Sequence, residues 1–234
     1  MPFPNEKKLY LQKQDQSKKG EIDQQVLPLL KLINAHDDYY TTSSCAGRVY
    51  LWRGAGKKNE VEWIKVSHEL VGEDFFELEA WRAPNPSDTI DVNINLRRGM
   101  PPTGRRRTQK RQTKSEAVLS TLEKADALHF PTTEIIWLRL EPFILHIACK
   151  DLAAANHLVE LARKIYKKSC ILTISNKIMV EIRGSELIEM PLYRQGRLLY
   201  QGELSWLVTM INHRLEQMAL GREKLVKVLE RGGN

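Results

Sequence analysis

Along this chain, apolar residues return every three or four positions in several stretches and every second position in others, and the switch of period predicts the elements. Ile22, Val26, Leu29, Leu30 and Ile33 form one stripe. A helix is therefore expected from about 21 to 36, with Pro28 either kinking it or marking a restart. Tyr39 to Thr42 reads as a strand, Ser43 to Gly47 as a turn, and Arg48 to Arg53 as the strand resuming after it. Val61 to His68 is the next expected strand. Ile90 to Leu96 alternates apolar with polar residues, as a half-exposed antiparallel strand does. Ser115 is placed to cap a helix bearing Val118, Leu119, Leu122, Ala125 and Leu128. Two strands are expected to flank Glu141-Pro142. A helix with Leu152, Ala155, Leu158, Ala162 and Ile165 follows, then a hairpin pairing 171–174 with 178–182 around Ser175-Asn176-Lys177. The stripe Leu204, Leu207, Val208, Ile211, Leu215, Met218, Leu225 and Leu229 predicts a last helix of about seven turns, with Gly221 as a point of interruption. Helices and strands alternate without a steady βαβ rhythm, so the expected class is α+β: a mixed or mostly antiparallel sheet packed with helices, in one domain over 1–234.

Composition narrows the class without naming an activity. The 234 residues are 42% hydrophobic and 28% charged, enough for a core without staples. Three cysteines with no CxxC pair make neither a disulfide framework nor a structural zinc site, and the simplest home is a reducing cytoplasm. No apolar run is long enough for a signal peptide core or a membrane span. Charge changes the picture more. The formal net charge is +7, and the stretch 97–114, RRGMPPTGRRRTQKRQTK, holds eight basic residues and no acid; without it the chain is close to neutral. Rich in Gly, Pro and Thr and lacking an apolar period, this stretch is expected to be a mobile loop. Concentrated guanidinium groups on a neutral body fit a polyanionic partner, and a solvated insertion is the plainer alternative.

Several familiar chemistries are absent. There is no GxGxxG, so a Rossmann-type methyltransferase is not expected, and no P-loop, HExxH or GxSxG motif. The six histidines lack metal-ligand spacing, and no metal is expected. What stands out is Thr41-Thr42-Ser43-Ser44-Cys45-Ala46-Gly47-Arg48. Clustered hydroxyls and backbone amides at a glycine turn bind carboxylate or phosphate oxygens, and an arginine adds a charge-assisted pair. The plainer alternative is a turn whose serines satisfy their own backbone.

The string YYTTSSCAGR, preceded by Asp15-x-Ser17-x-Lys19-Gly20-x-Ile22-Asp23, resembles the tRNA wybutosine-synthesizing protein 3 family. Further matches follow in order: Trp63-Ile64-Lys65-Val66-Ser67-His68, Leu140-Glu141-Pro142-Phe143-Ile144-Leu145-His146, Arg183 with Glu189, Pro191 and Leu192, and the last helix around Asn212. One departure lies at Tyr166 to Cys170, where the family shows a glycine-flanked Ser-Gly.

The resemblance implies an S-adenosylmethionine-dependent methyltransferase that acts on N4 of the tricyclic 7-(3-amino-3-carboxypropyl)-4-demethylwyosine base beside the anticodon of tRNA(Phe). Its cofactor would be S-adenosyl-L-methionine, its partner the tRNA(Phe) anticodon loop, with no membrane and no obligate protein partner. Ser43, Ser44, Cys45, Gly47 and Arg48 are then the candidate substrate contacts, Arg48 facing the substrate's carboxylate. His68 and Glu141 are the candidate proton acceptors, with a carbonyl-bound histidine and a surface ion pair as their plainer roles. Trp52 and Trp63 are candidates to hold a sulfonium or stack on the base, or else are core. Arg105, Arg106, Arg107, Lys110 and Arg111 would grip the RNA backbone. Two other classes compete: a non-catalytic RNA-binding module, and a hydrolase built on Cys45, which needs an activated thiol.

Overall fold

The computed structural model describes residues 2–12, 22–54, 61–78 and 135–232. The expected 90–96 strand, the basic segment 97–114 and the helix bearing Val118 to Leu128 lie outside them. Four helices are described: α1 (Phe3–Leu11), α2 (Leu27–Ala35), α3 (Leu152–Arg163) and α4 (Leu204–Gly232). Nine strands accompany them: β1 (Tyr39–Cys45), β2 (Arg48–Arg53), β3 (Glu62–Ser67), β4 (Ile135–Glu141), β5 (Ile144–Cys149), β6 (Cys170–Thr173), β7 (Ile178–Arg183), β8 (Ile188–Arg194) and β9 (Arg197–Leu198). They form two sheets, β1-β5-β7-β6 and β3-β2-β4-β8-β9. Every described strand pair is antiparallel, which makes the fold α+β and settles the sheet's character.

The helices show why the periodicities resolved as they did. Pro28 sits in the first turn of α2, where its missing N–H costs nothing, so the predicted helix restarts there after a short 3₁₀ turn at Gln24–Val26. Asp151 caps α3 by accepting the Ala154 N–H at 2.8 Å. Gly221 does not interrupt α4, which runs unbroken for 29 residues. A side chain there would press on the hydroxyl of Tyr166, so the glycine serves close approach. The α4 stripe spans two cores. Leu207, Ile211, Leu215 and Met218 pack with Val49, Leu51, Leu138 and Leu140 of the five-stranded sheet, while Leu225 and Leu229 join Leu145, Ile147, Val180 and Ile182 of the four-stranded sheet. Removing such side chains from water, at about 25 cal/mol per Å² of apolar area, is what holds one long helix across both sheets.

The two sheets share a waist. β1 leads into β2 through Ala46 and Gly47, and β4 leads into β5 through Pro142 and Phe143. Because β1 pairs with β5 and β2 with β4, these connections lie side by side, with Cys45 opposite Ile144 and Arg48 opposite Glu141. The Gly184 N–H donates to the Phe143 carbonyl at 2.9 Å, carrying the β7 to β8 passage past the same point. No described helix is long and apolar enough to cross a membrane.

Candidate active site

Ser43 to Cys45 belong to β1, so the expected turn shrinks to Ala46-Gly47. A bulge between Thr41 and Ser43 shifts the register, setting Ser43 opposite His146 and Ser44 opposite Leu145. The Ser43 hydroxyl is not spent on its own backbone. It meets His146 Nδ1 at 2.8 Å. Gly47 takes φ +94°, and a side chain on it would overlap Met218 Sδ and press on the Phe143 nitrogen and the Glu141 carbonyl.

The waist gathers groups far apart in sequence. Asp23, at the start of the 3₁₀ turn, accepts the Ala46 N–H at 3.0 Å and stands 3.5 Å from His68 Nδ1. His68, just past β3, has that same Nδ1 3.0 Å from the Gly47 carbonyl. A carbonyl only accepts, so Nδ1 carries the proton and donates. Arg222 breaks the apolar stripe of α4 between its two cores, donating to the Ala46 carbonyl at 2.5 Å and to Gln25 Oε1 at 2.6 Å. Gln25 in turn donates to the His68 carbonyl at 3.0 Å and to Glu69 Oε1 at 2.7 Å. One buried guanidinium thus ties the turn, the 3₁₀ segment and the end of β3 together. Burial pushes Arg222 below the ordinary arginine range, opposed by Tyr166 and Asp23.

Asp23, Cys45 and His68 place ligating atoms within 4.8 Å of one another, from three segments whose separation hid the grouping in sequence. The Asp23 charge is met by Arg222 and the Ala46 N–H, and burial pushes the Cys45 thiol up. Asp23 and His68 each meet the turn backbone, at the Ala46 N–H and the Gly47 carbonyl, beside a thiol that burial holds above its ordinary range. Although His68 comes near Cys45, the thiol is not activated as a hydrolase nucleophile needs.

On the other side of the turn, Arg48 donates through Nε and Nη2 to Glu141 Oε2 at 2.9 and 2.7 Å. Tyr50 donates to Glu141 Oε1 at 2.8 Å, and Arg139 Nε lies 3.4 Å from the same oxygen. Burial, then the Glu141 bond, pushes the Tyr50 phenol up and keeps it a donor. Glu141 is therefore the counter-ion that fixes Arg48. The guanidinium also lies 4.3 Å over the Trp63 ring and 5.2 Å over Tyr50. Trp63 is 47% exposed and stacks on Tyr50, whereas Trp52 is 8% exposed and stacks on Trp137 in the interior.

The sequence candidates thus divide. Cys45, Gly47, Arg48, His68 and Glu141 meet at the waist, Ser43 lies one row away on β1, and Arg105, Arg106, Arg107, Lys110 and Arg111 fall outside the described residues. Gln25 and Arg222 were not singled out by sequence, and Asp23 entered only as the last residue of the family string, with no role assigned; Arg222 carried a signal, a charged residue on an apolar stripe. Two cavities lie elsewhere: one of about 360 Å³ beside Glu6, Tyr40, Lys150 and Lys177, and one of about 280 Å³ beneath α2, α3 and the end of α4.

A two-sheet antiparallel fold crossed by one long helix, with an arginine–carboxylate pair and an imidazole at its waist, is not the doubly wound scaffold of nucleotide-binding enzymes. The family profile described as Methyltransferase TYW3 matches residues 5–231, and the chain belongs to that family. A mouse relative, "tRNA wybutosine-synthesizing protein 3 homolog", is 27% identical over 215 residues, 88% of this chain and 65% of that protein. A Pyrococcus furiosus relative named "tRNA(Phe) 7-((3-amino-3-carboxypropyl)-4-demethylwyosine(37)-N(4))-methyltransferase 1" is 30% identical over 186 residues, 78% of this chain and 70% of its own. The solved structure of the PH1069 protein from Pyrococcus horikoshii superposes with a TM-score of 0.66 at 26% identity, covering 97% of this chain and 95% of that one. The chain spans 65% of the length of its mouse relative.

Proposed function

We propose that this chain is an S-adenosylmethionine-dependent tRNA methyltransferase that methylates N4 of the tricyclic demethylwyosine base beside the anticodon of tRNA(Phe). The observation that carries this reading is the meeting, at the Ala46-Gly47 turn, of a fixed arginine, a half-exposed aromatic ring and an imidazole. The substrate base bears an aminocarboxypropyl group, hence a carboxylate. Glu141 holds the Nε and Nη2 edge of Arg48, and the Nη1 side is left to take that carboxylate as a charge-assisted pair.

In this reading S-adenosyl-L-methionine binds beside the waist, where the half-exposed Trp63, stacked on Tyr50 and lying under the Arg48 guanidinium, supplies apolar surface. When bound, this cofactor supplies an electrophilic methyl group. The chain's own share is alignment of the acceptor nitrogen and removal of its proton. Glu141 is committed to Arg48, Tyr50 and Arg139, so the proton falls to an imidazole: His68, whose neutral ring has its acceptor at Nε2 when Nδ1 donates to Gly47, or His146 beside Ser43. The basic segment, with Arg105 to Arg107, Lys110 and Arg111, supplies sequence-independent grip on the flanking phosphates.

The test is incubation of the protein with labelled methyl donor and tRNA from cells blocked at this step. Label in the tRNA that depends on the protein supports the reading. Binding of tRNA without label identifies a non-catalytic RNA-binding module instead.

A further inference from the structure

Ser43, His146 and Glu181 lie in one row across three adjacent strands. The register sets Ser43 of β1 opposite His146 of β5, and His146 opposite Glu181 of β7. Their neighbours along β5 and β7, Leu145, Ile147, Val180 and Ile182, are fully buried, so the row stands on the face away from that core. Ser43 Oγ is 2.8 Å from His146 Nδ1, and His146 Nε2 is 2.9 Å from Glu181 Oε2. The bulge residue Thr42 donates its hydroxyl to the His146 carbonyl at 3.2 Å, holding the two strands in this register.

The direction of the relay follows from donor chemistry. An ionised carboxylate only accepts, so His146 Nε2 carries the hydrogen that bonds Glu181. The neutral ring then has its lone pair at Nδ1, which accepts the Ser43 O–H. The lone pairs of the exposed Ser43 oxygen are thereby left to receive a proton from outside.

We propose that Ser43, His146 and Glu181 form the proton relay of the site, with His146 as the final acceptor. Resting on the methyltransferase reading, the step balances as follows. The N–H proton of the acceptor base passes to Ser43 Oγ as the serine's own proton passes to His146 Nδ1. The freed electron pair on nitrogen forms the new N–C bond while the methyl's bond to a sulfonium sulfur breaks, its electron pair staying on sulfur. Glu181 offsets the resulting imidazolium. No oxyanion-holding group is required, because the proton comes from nitrogen and no carbonyl is attacked.

The experiment compares wild type with His146→Gly, Ser43→Ala and Glu181→Gln, each checked for folding by circular dichroism and for tRNA affinity. The expected result is a loss of methyl transfer of at least about 100-fold for His146→Gly, recovered in part by added imidazole, at unchanged tRNA affinity. Ser43→Ala and Glu181→Gln lose about tenfold or more, and they carry the test should the glycine variant not fold. Independently of activity, ¹⁵N imidazole shifts of the neutral enzyme place the His146 hydrogen on Nε2. An Nδ1–H tautomer, or active His146 and Ser43 variants, overturns the relay. Wild type that binds tRNA without methylating it overturns the functional reading instead.

Discussion

Arg48 illustrates how one residue's contacts set its chemistry. With two N–H groups on one Glu141 oxygen and its plane over Trp63, the guanidinium is fixed in direction before any substrate arrives. Lysine would keep the charge and lose the plane and the fork. Arg48→Lys is expected to lower kcat/KM for methyl transfer by about tenfold or more, while Tm moves less, because lysine keeps a positive charge beside the half-buried Glu141. Steady-state kinetics beside a thermal melt separate the two. Gly47 is the opposite kind of residue, required by backbone shape. Gly47→Ala imposes a side chain at φ +94° against Met218 and is expected to cost about 2 kcal/mol, read as a fall in Tm of about 4–8 °C. The sequence flagged Arg48, Gly47 and the Ser-Ser-Cys string because their types are unusual together. It gave Asp23 no role beyond the family string and did not flag Gln25 or Glu181, since a lone polar residue gains its meaning only from the strand or turn placed opposite it.

Among the elements, those defined by an apolar period were legible: α2, α3, α4, the β6–β7 hairpin and the strands around Pro142 are where the stripes and alternations put them. The elements that escaped are those whose pattern is interrupted or short. β8 carries Glu189 and Pro191, yet its proline sits where the pairing with β4 shifts register, so the missing N–H is tolerated. α1 has no buried residue and docks through polar contacts: Lys177 to Glu6 at 2.5 Å, Tyr40 to Glu6 at 2.8 Å and Tyr10 to the Thr42 carbonyl at 2.9 Å. Hydrogen bonds from Lys177, then Tyr40, hold the Glu6 carboxyl below its ordinary range. A carboxyl lowered by folding adds stability above its unfolded pKa and loses it as pH falls through the folded one. α1 should therefore loosen below about pH 4.5, the ordinary value. Hydrogen exchange should then speed up in Phe3–Leu11 before it does in β5 or β7; equal protection of α1 at pH 3 and pH 7 contradicts this.

At the scale of the whole molecule, two cores and two sheets would be separate units were it not for three chain passages at the waist and one helix laid over both. Arg222 marks the junction. The proposed site lies where the sheets part, which suits the extruded base flanked by phosphates that the proposed function calls for. In the proposed reading, grip on those phosphates is assigned to the basic segment 97–114. Replacing Arg105, Arg106, Arg107, Lys110 and Arg111 with glutamine is expected to weaken tRNA binding and to reduce the magnitude of the log–log salt slope by about 0.7–0.9 for each phosphate no longer neutralised. An unchanged slope, measured by filter binding over a salt series, removes the segment from the interface.

The proposition beneath all of this is that the waist aligns a carboxylate-bearing purine for N-methylation. The most direct measurement is nucleoside mass analysis of tRNA(Phe) carrying the demethylated tricyclic base, after treatment with S-adenosylmethionine and either wild type or Arg48→Ala. The expected result is a single added methyl on the N4 position with wild type and little or none with Arg48→Ala at matched tRNA occupancy. Methylation at another nucleoside, or equal methylation by the two proteins, would contradict it.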